Sequence, residues 1–363
     1  MPSLFDSLSL RSLTLTNRII VSPMCQYSST DGFANDWHLV HLASRAVGGA
    51  AVVFTEAAAV APDGRISPQD LGIWDDQHIP ALARVTRVVR AAGSIAGVQI
   101  AHAGRKASTS RPWEGIKGLS PAEGGWMPVG PTVEPFSSTY VRPKALDAAE
   151  ISGIVDSFRR AAERALEAGF QIVELHAAHG YLVHEFLSPL VNTRSDAYGG
   201  SFDNRARLCL EIADAVRGVW PEPLPVFVRI SATDWVEGGW DVDQAVELAR
   251  RLRDRGVDLI DCSSGGAVPH ASIPLAPGYQ VPFAERVRRE AAVATGAVGL
   301  ITEAKQADDI VRRDQADCVL LARELLRDPY WPLRAARELG HEVSWPAQYL
   351  RAAPPGAVAR RSS

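Results

Sequence analysis

The chain has 363 residues, of which 46% are hydrophobic and 22% charged, a globular composition that excludes the disordered and fibrous classes. Its formal net charge of −4 argues against a nucleic-acid-binding protein, which needs clustered positive charge. The four cysteines have no paired spacing, and we find neither a secretory signal pattern nor an apolar stretch of membrane-spanning length, so we expect a cytoplasmic protein.

Short apolar runs, taken in chain order, predict eight β-strands. They lack in-and-out alternation of polarity, which indicates strands that are covered on both faces. The predicted strands are Ile19–Pro23, Ala51–Thr55, Ala96–Ala101, Ile172–Leu175, Pro225–Ile230, Leu259–Cys262, Val298–Ile301 and Cys318–Leu321.

Amphipathic stretches between these runs predict eight helices. Glycine follows the second, third and fifth helices, at Gly93, Gly169 and Gly256, where we expect it to end the helix in a left-handed conformation. Thr302 is the expected N-cap of the seventh helix. The predicted helices are Trp37–Val47, Ile79–Ala92, Ala149–Ala168, Asn204–Val219, Val242–Arg255, Phe283–Ala294, Glu303–Arg313 and Tyr330–Leu339.

This alternation predicts an α/β fold, a (β/α)₈ TIM barrel forming a single domain over residues 1–351. We expect an N-terminal hairpin under the barrel, a long excursion after the third strand (residues 103–147), and a flexible tail over residues 352–363. An open doubly wound sheet is the alternative, but no G-x-G-x-x-G pattern follows the first strand. At ~150 residues per domain the length alone suggests two domains.

Barrel enzymes carry their chemistry at the carboxyl ends of the strands. His176 and His179 follow the fourth strand at a spacing that lets both side chains hold one oxygen and stabilise negative charge there. Tyr181 just beyond them could donate a proton. The alternatives are a satisfied core histidine or a zinc pair, but no third zinc ligand has a telling spacing, so we predict no metal.

Other polar residues at strand ends suggest a bound anion and a bound heterocycle. Arg323, after the eighth strand, could bind phosphate, or form a surface ion pair instead. Arg229 and Gln99 lie inside apolar strands; a buried arginine needs an anionic partner, for which Glu56 is the possible carboxylate. Gln99 offers a donor and an acceptor to a heterocycle, although either residue could be a satisfied polar core residue.

Cys25 is the cysteine at the end of a predicted strand. Its thiol could tune a cofactor through a weak hydrogen bond, or it could be a small buried residue. Cys209, Cys262 and Cys318 are assigned to packing.

In order along the chain, these residues resemble the Old Yellow Enzyme family of flavin-dependent ene reductases. The similarity is greatest to its bacterial, thermophilic-like branch with a cysteine near the flavin, which includes xenobiotic reductases and NADPH dehydrogenases. The motifs that carry the resemblance span Leu4 to Arg351. They are Asn17–Ile19, Ser22–Tyr27, Gln99–Lys106, Glu174–Tyr181, Arg194–Arg205, Ala322–Pro329 and Trp345–Arg351.

The resemblance implies non-covalent FMN at the mouth of the barrel. Gln99 would bond its pyrimidine edge, Arg229 would lie beside N1 and the C2 carbonyl, and Ala322 and Arg323 would hold the phosphate, with Ala322 standing where the family motif has glycine. The residues that would line the isoalloxazine are Ser22, Pro23, Met24, Cys25 and Ala57.

The resemblance also implies the reaction. NADPH, or NADH, would reduce the flavin, which would then reduce the activated C=C bond of an α,β-unsaturated carbonyl or nitro compound. His176 and His179 would bind the activating oxygen, with Tyr27 lining the pocket and Tyr181 protonating the α-carbon. Arg351 would reach a neighbouring subunit's site in a homodimer or homotetramer. The expected partners are small alkenes, not nucleic acid or membranes.

Three alternatives remain for the function. A barrel lyase or isomerase acting on a phosphorylated substrate would need a Schiff-base lysine or metal-binding carboxylates, which the strand ends do not show. The larger dienoyl-CoA reductases add an iron–sulfur cluster and further domains. A non-catalytic flavin-binding barrel is the third, since a fold alone does not fix a function.

Overall fold

The computed structural model describes residues 1–360. In chain order its strands are β1 Leu8–Leu10, β2 Leu13–Leu15, β3 Ile19–Val21, β4 Val52–Ala59, β5 Ile95–Ala101, β6 Val129–Gly130, β7 Lys144–Ala145, β8 Ile172–Ala177, β9 Val226–Ser231, β10 Leu259–Ser263, β11 Ala294–Ala297 and β12 Cys318–Leu321. Eight of these strands form a closed parallel barrel in the order β10–β11–β12–β3–β4–β5–β8–β9, with β9 paired to β10, so the predicted TIM barrel is confirmed.

All eight predicted helices overlap observed ones, while the short α4 and α9 were not predicted. The glycines at 93, 169 and 256 have φ values of +87°, +85° and +82°, as expected of helix ends. The helices are α1 Asp36–Val47, α2 Ile79–Ala91, α3 Ala148–Glu167, α4 Leu182–Leu187, α5 Phe202–Val219, α6 Val242–Arg253, α7 Val281–Ala291, α8 Ala304–Arg312, α9 Arg323–Arg327 and α10 Trp331–Glu338.

Helix α3 shows how local sequence sets these elements. The carboxylate of Asp147 accepts a hydrogen bond from the backbone N–H of Glu150, and the carboxylate of Glu150 accepts one from the backbone N–H of Asp147, so a capping box begins the helix. Ile151, Ile154 and Phe158 then recur at helical spacing and are buried against the barrel. By contrast, the prediction of Thr302 as the N-cap of α8 was wrong. Glu303 holds that position, and the backbone N–H of Thr302 bonds to the side chain of Gln306.

The seventh barrel strand was predicted in the wrong place. The apolar run Val298–Ile301 lies after the strand, and β11 is formed by the small residues Ala294–Ala297, of which only Ala294 had been predicted to belong to the preceding helix and the others to no element. A Cβ on Gly296 would stand 2.2 Å from the side chain of Leu320. The residue at this position of β11 must therefore be small, because a side chain of β12 fills the space beside it. Packing against β10 and β12 thus overrides the weak strand propensity of this segment.

Apolar side chains fill the amino-terminal half of the barrel interior. Phe54 and Phe227 meet there with ring centroids 5.9 Å apart, in one buried cluster with Leu10 and Leu15 of the β1–β2 hairpin. The predicted N-terminal hairpin is therefore observed, and it closes this end of the barrel. Polar interior side chains are consequently placed at the opposite, carboxyl end.

The predicted excursion after β5 contains short 3₁₀ turns and the two-stranded β6–β7 sheet. The described part of the C-terminal segment folds back on the barrel, where the Arg360 guanidinium donates to the carbonyl oxygens of Ala46 and Ala92. Residues 361–363 of the predicted tail lie outside the described residues, and its flexibility stays a prediction. No helix within residues 1–360 is long and apolar enough to cross a membrane.

Candidate active site

A layer of polar side chains lies across the barrel interior, directly above the apolar half. Residues two apart on a strand face the same side, so every second residue of β8, β9 and β10 points into the barrel. On each of these strands the inward-facing residues change from apolar to polar toward the carboxyl end. The three series are Ile172–Glu174–His176, Phe227–Arg229–Ser231 and Leu259–Asp261–Ser263. We call Gln99, Glu174, Arg229 and Asp261 the polar layer; all four are at most 5% exposed.

Arg229 finds its anionic partner on the neighbouring strand. Its Nε lies 3.1 Å from an Asp261 carboxylate oxygen, because β9 and β10 pair these two residues in register. A second guanidinium nitrogen donates to Oγ of Ser22 at 3.0 Å. The suggestion of Glu56 as the partner was therefore wrong: Glu56 pairs with His38, at 3.1 Å from Nε2.

Gln99 contacts a second buried carboxylate. Its side-chain nitrogen donates to Glu174 at 2.7 Å, across the β5–β8 pair. Burial raises the pKa of Glu174, and the nearby Asp261 raises it further while Arg229 opposes the rise. Burial likewise raises the pKa of Asp261. Neither carboxylate was assigned a role from the sequence, although each interrupts an apolar strand.

The segment after β3 joins this layer at the barrel mouth. The Ser22 hydroxyl accepts from Arg229, and its backbone N–H donates to the carbonyl oxygen of Leu321, so the Ser22–Pro23–Met24 turn lies over the polar layer. Ala57 follows a register shift in β4 and pairs with Gln99 on β5. The predicted residues Ser22, Ala57, Gln99 and Arg229 are thus brought together.

His176 and His179 face each other at the end of β8. The backbone N–H of Ala178 donates to Nδ1 of His176 at 3.2 Å, which leaves the proton of a neutral imidazole on Nε2. That Nε2 lies 3.3 Å from Nδ1 of His179, whose own Nε2 lies 2.7 Å from Oγ of Ser263. Because a hydroxyl can donate or accept, Ser263 allows either tautomer of His179. With the proton of His179 on Nε2, the Nε2–H of His176 donates to Nδ1 of His179; with that proton on Nδ1, the two facing N–H groups need a shared acceptor between them, such as a ligand oxygen.

The turn that carries His179 is held by residues that sequence reasoning did not assign. His179 has a φ of +60°, and a Cβ on Gly180 would stand 2.0 Å from the carbonyl oxygen of Gly266, so only glycine permits this approach. The Lys106 ammonium donates to the carbonyl oxygens of His179, at 2.7 Å, and of Gly266, at 2.5 Å. Lys106 lies in the motif Gln99–Lys106, but its two acceptors are distant in sequence. The spacing of residues therefore could not predict these hydrogen bonds.

Tyr181, Tyr27 and Cys25 lie on the same side of the barrel mouth. The ring of Tyr181 packs edge-on against His176 at 4.9 Å, and Tyr27 packs against Trp113 of the excursion at 5.8 Å. Burial raises the pKa of both tyrosines, so both keep their protons at neutral pH. Burial also raises the pKa of the Cys25 thiol, with Asp70 and Glu56 adding to the rise, which keeps it a neutral thiol.

A cavity of about 230 Å³ opens between the ends of β11 and β12. Arg323 lines it and forms no ion pair within residues 1–360, so the alternative of a surface ion pair is not what the structure shows. Gly299, with a φ of +117°, and Ala322 also line the cavity. Ala322 has a φ of −104°, so this position does not need the left-handed conformation that favours glycine.

Arg351 is the predicted site residue that the chain does not bring to the others. It lies exposed on a 3₁₀ helix over residues 347–352 and forms no hydrogen bond or ion pair within residues 1–360.

We expect acid to destabilise the protein through His176 and His179. Burial, helped by the nearby Arg229, lowers the pKa of His176 and His179 well below 6.5. The unfolded chain therefore binds more protons than the folded one as the pH falls through about 6.5, and each histidine removes up to about 1.4 kcal/mol of unfolding free energy per pH unit. Between pH 7 and pH 5, urea unfolding should show that the His179→Asn variant loses less unfolding free energy per pH unit than the wild type. Equal slopes would contradict a neutral buried His179.

Comparisons of the sequence and of the structure with known proteins agree with one another. A sequence profile described as the NADH:flavin oxidoreductase / NADH oxidase family matches residues 3–342. The NADPH dehydrogenase of Geobacillus sp. strain WCH70 is 50% identical over 350 residues, covering 96% of this chain and 98% of that protein. Among solved structures, morphinone reductase in complex with tetrahydroNAD aligns with a TM-score of 0.77 and 29% identity, over 95% of this chain and 93% of that one. An old yellow enzyme homologue from Zymomonas mobilis aligns with a TM-score of 0.78 and 25% identity, over 93% of each chain.

Proposed function

The chain belongs to the NADH:flavin oxidoreductase / NADH oxidase family, and we propose that within this family it reduces the activated C=C bond of α,β-unsaturated carbonyl or nitro compounds. The resemblance to Old Yellow Enzyme relatives is confirmed at the level of the family. The protein is an oxidoreductase with FMN and NADPH as its cofactors. Our proposal concerns the class of substrate.

The polar groups left without partners fit FMN. Within residues 1–360 the Gln99 carbonyl oxygen has no hydrogen-bond partner, and neither has Nη2 of Arg229, whose Nε lies against Asp261 and whose Nη1 donates to Ser22. A heterocycle with alternating carbonyl and N–H groups satisfies such donors and acceptors. The Arg323 guanidinium in its cavity suits a phosphate. We therefore assign Gln99 and Arg229 to the ring, with Ser22, Pro23, Met24, Cys25 and Ala57 beside it, and Ala322 and Arg323 to the phosphate.

The observation that carries the proposed substrate class is the facing pair of neutral imidazoles. Bound FMN would supply the transfer of hydride from NADPH to the alkene. His176 and His179 donate their N–H groups to the carbonyl or nitro oxygen, which draws electrons from the C=C bond and stabilises the negative charge that develops there. Tyr181, protonated at neutral pH, gives its phenolic proton to the α-carbon. Tyr27 and Cys25 line the pocket without a change of charge.

The proposal is tested by steady-state oxidation of NADPH with cyclohexenone, a nitroalkene and a saturated ketone as acceptors. We expect turnover with the two activated alkenes and none above the oxygen background with the ketone, and a saturated product by mass spectrometry. A protein that binds FMN yet reduces no activated alkene would contradict the substrate class. A protein that takes up no FMN would instead reopen the lyase or isomerase alternative.

We expect Arg323→Ala to weaken FMN binding roughly 10- to 100-fold, because a charge-assisted contact to phosphate contributes about 1.5–3 kcal/mol. The matched control is Arg327→Ala, since Arg327 lines the same cavity but is paired with Glu324. Fluorescence titration of the apoprotein measures both dissociation constants. Riboflavin, which lacks the phosphate, should bind the wild type and Arg323→Ala equally, and an equal loss of riboflavin affinity would contradict the phosphate assignment.

The exposed and unpaired Arg351 supports a shared site between subunits of a homodimer or homotetramer. If it reaches a neighbouring pocket, Arg351→Ala should raise KM for cyclohexenone several-fold and leave FMN affinity unchanged. Sedimentation velocity run alongside the kinetics establishes that the variant keeps the wild-type assembly. An unchanged KM in an intact oligomer would contradict the role.

A further inference from the structure

Glu174 is a buried carboxylate with no part in the proposed reaction. We propose that it is a positioning residue, which fixes the orientation of the Gln99 amide so that Gln99 presents its carbonyl oxygen and its second N–H to the FMN ring. This inference rests on the proposed function, because it assumes that Gln99 contacts FMN.

The first step is the direction of the hydrogen bond. An amide side chain has nearly the same shape with its oxygen and nitrogen exchanged, so packing alone does not select one orientation. The ionised carboxylate of Glu174, which the nearby Arg229 favours, accepts from the Gln99 nitrogen at 2.7 Å, and opposite this ionised form the exchanged orientation would place two acceptors against each other. Glu174 therefore selects the orientation in which the carbonyl oxygen of Gln99 is directed away from it.

The second step is what this orientation leaves available. The Gln99 carbonyl oxygen has no partner within residues 1–360, and one amide hydrogen remains after the bond to Glu174. One acceptor beside one donor complements the neighbouring N–H and carbonyl groups of a flavin pyrimidine ring. A reversed Gln99 would present the same groups in the wrong order.

The third step is that Glu174 contributes little to the stability of the chain. It is 0% exposed, one of its oxygens has no hydrogen-bond partner, and its other oxygen bonds to Gln99. The charged groups that face it are Asp261, which opposes its ionisation, and Arg229, which favours it. Burying such a carboxylate costs free energy that an apolar residue would not, and Ile172 occupies the inward position below on the same strand.

The test is a double-mutant cycle in which FMN binding to the apoprotein is the readout. Glu174→Met should weaken FMN binding about tenfold in the wild-type background and change it by less than twofold in the Gln99→Ala background, because Glu174 would act through Gln99. Glu174→Gln, which can both donate and accept, should follow the same pattern with a smaller loss. This conservative variant keeps the test valid if Glu174→Met does not fold.

The matched control is Glu185→Gln. Glu185 is equally buried and burial raises its pKa to about 8, but it accepts from the backbone of Arg105 and does not contact Gln99. We expect its FMN affinity to stay within twofold of the wild type. Equal losses from Glu174→Met in both backgrounds, or no loss in the wild type, would overturn the positioning role. Failure of the wild-type apoprotein to bind FMN would overturn the proposed function itself.

Discussion

Replacing Arg229 by methionine is expected to lower the free energy of unfolding by about 3–5 kcal/mol and to abolish retention of FMN. The guanidinium is the cation of the polar layer, and it lies 3.1 Å from the Asp261 carboxylate. Removing one partner of a buried ion pair leaves the other charge buried without an opposite charge. This destabilises the fold much more than removing both charges does. Urea unfolding measures the first effect, and flavin absorbance after gel filtration measures the second.

The double variant Arg229→Met with Asp261→Asn separates stability from cofactor binding. It removes both charges, so we expect at least half of the lost stability to return, because no ionised carboxylate remains opposite position 229. FMN affinity should stay low, because the donor for the ring is still missing. Recovery of FMN binding together with stability would show that Arg229 acts only on the fold. An unchanged stability in the single variant would contradict the ion pair itself.

The barrel could be predicted from the sequence because its strands and helices leave local signals, which are the pattern of apolar residues and the glycines that end helices. The prediction failed at β11, where the segment from Ala294 to Ala297 has small residues that become a strand only between β10 and β12. It also failed to pair Arg229, although Asp261 lay within a predicted strand. Two residues in separate strands become partners through their register, and register is set by closure of the barrel, which no local pattern records.

The site residues divide in the same way. His176, His179 and Tyr181 could be found because one short turn places them together along the chain. Lys106 could not, since its acceptors lie 73 and 160 residues away in sequence. Glu174 stood beside the histidines in the sequence, but its contact with Gln99 depends on the pairing of β5 with β8. Residues that we propose to act on the substrate were thus easier to predict than the residues that hold them in place.

The electrostatic arrangement of the site follows from burial. A neutral imidazole donates a hydrogen bond without carrying its own charge into the pocket, and Arg229 nearby helps to keep both histidines neutral. A protonated histidine would instead release its proton readily to the developing oxyanion. The same burial keeps Tyr181 protonated at neutral pH. In the proposed reaction the catalytic side chains would therefore carry no charge at rest, and charge would develop on the substrate.

Removing either histidine is expected to lower kcat/KM for cyclohexenone about 100- to 1,000-fold while FMN stays bound, which is the usual effect of losing one donor to a developing oxyanion. His179→Asn should lose less than His179→Ala, because the asparagine amide keeps an N–H. The matched control is His41→Asn: burial lowers the pKa of His41 to about 3, but the residue lies against Trp37 on α1. Its kcat/KM should remain within threefold of the wild type.

The double variant His176→Ala with His179→Ala tests whether the two rings act on one oxygen. Their facing nitrogens are 3.3 Å apart, so a single ligand atom can accept from both. Donors that share one acceptor are not independent, and we expect the double variant to lose less than the product of the two single losses. Titration with a phenol, followed by the flavin absorbance, should show the same non-additivity in the dissociation constants. Fully additive losses would place the two histidines on different atoms of the substrate and contradict the shared clamp.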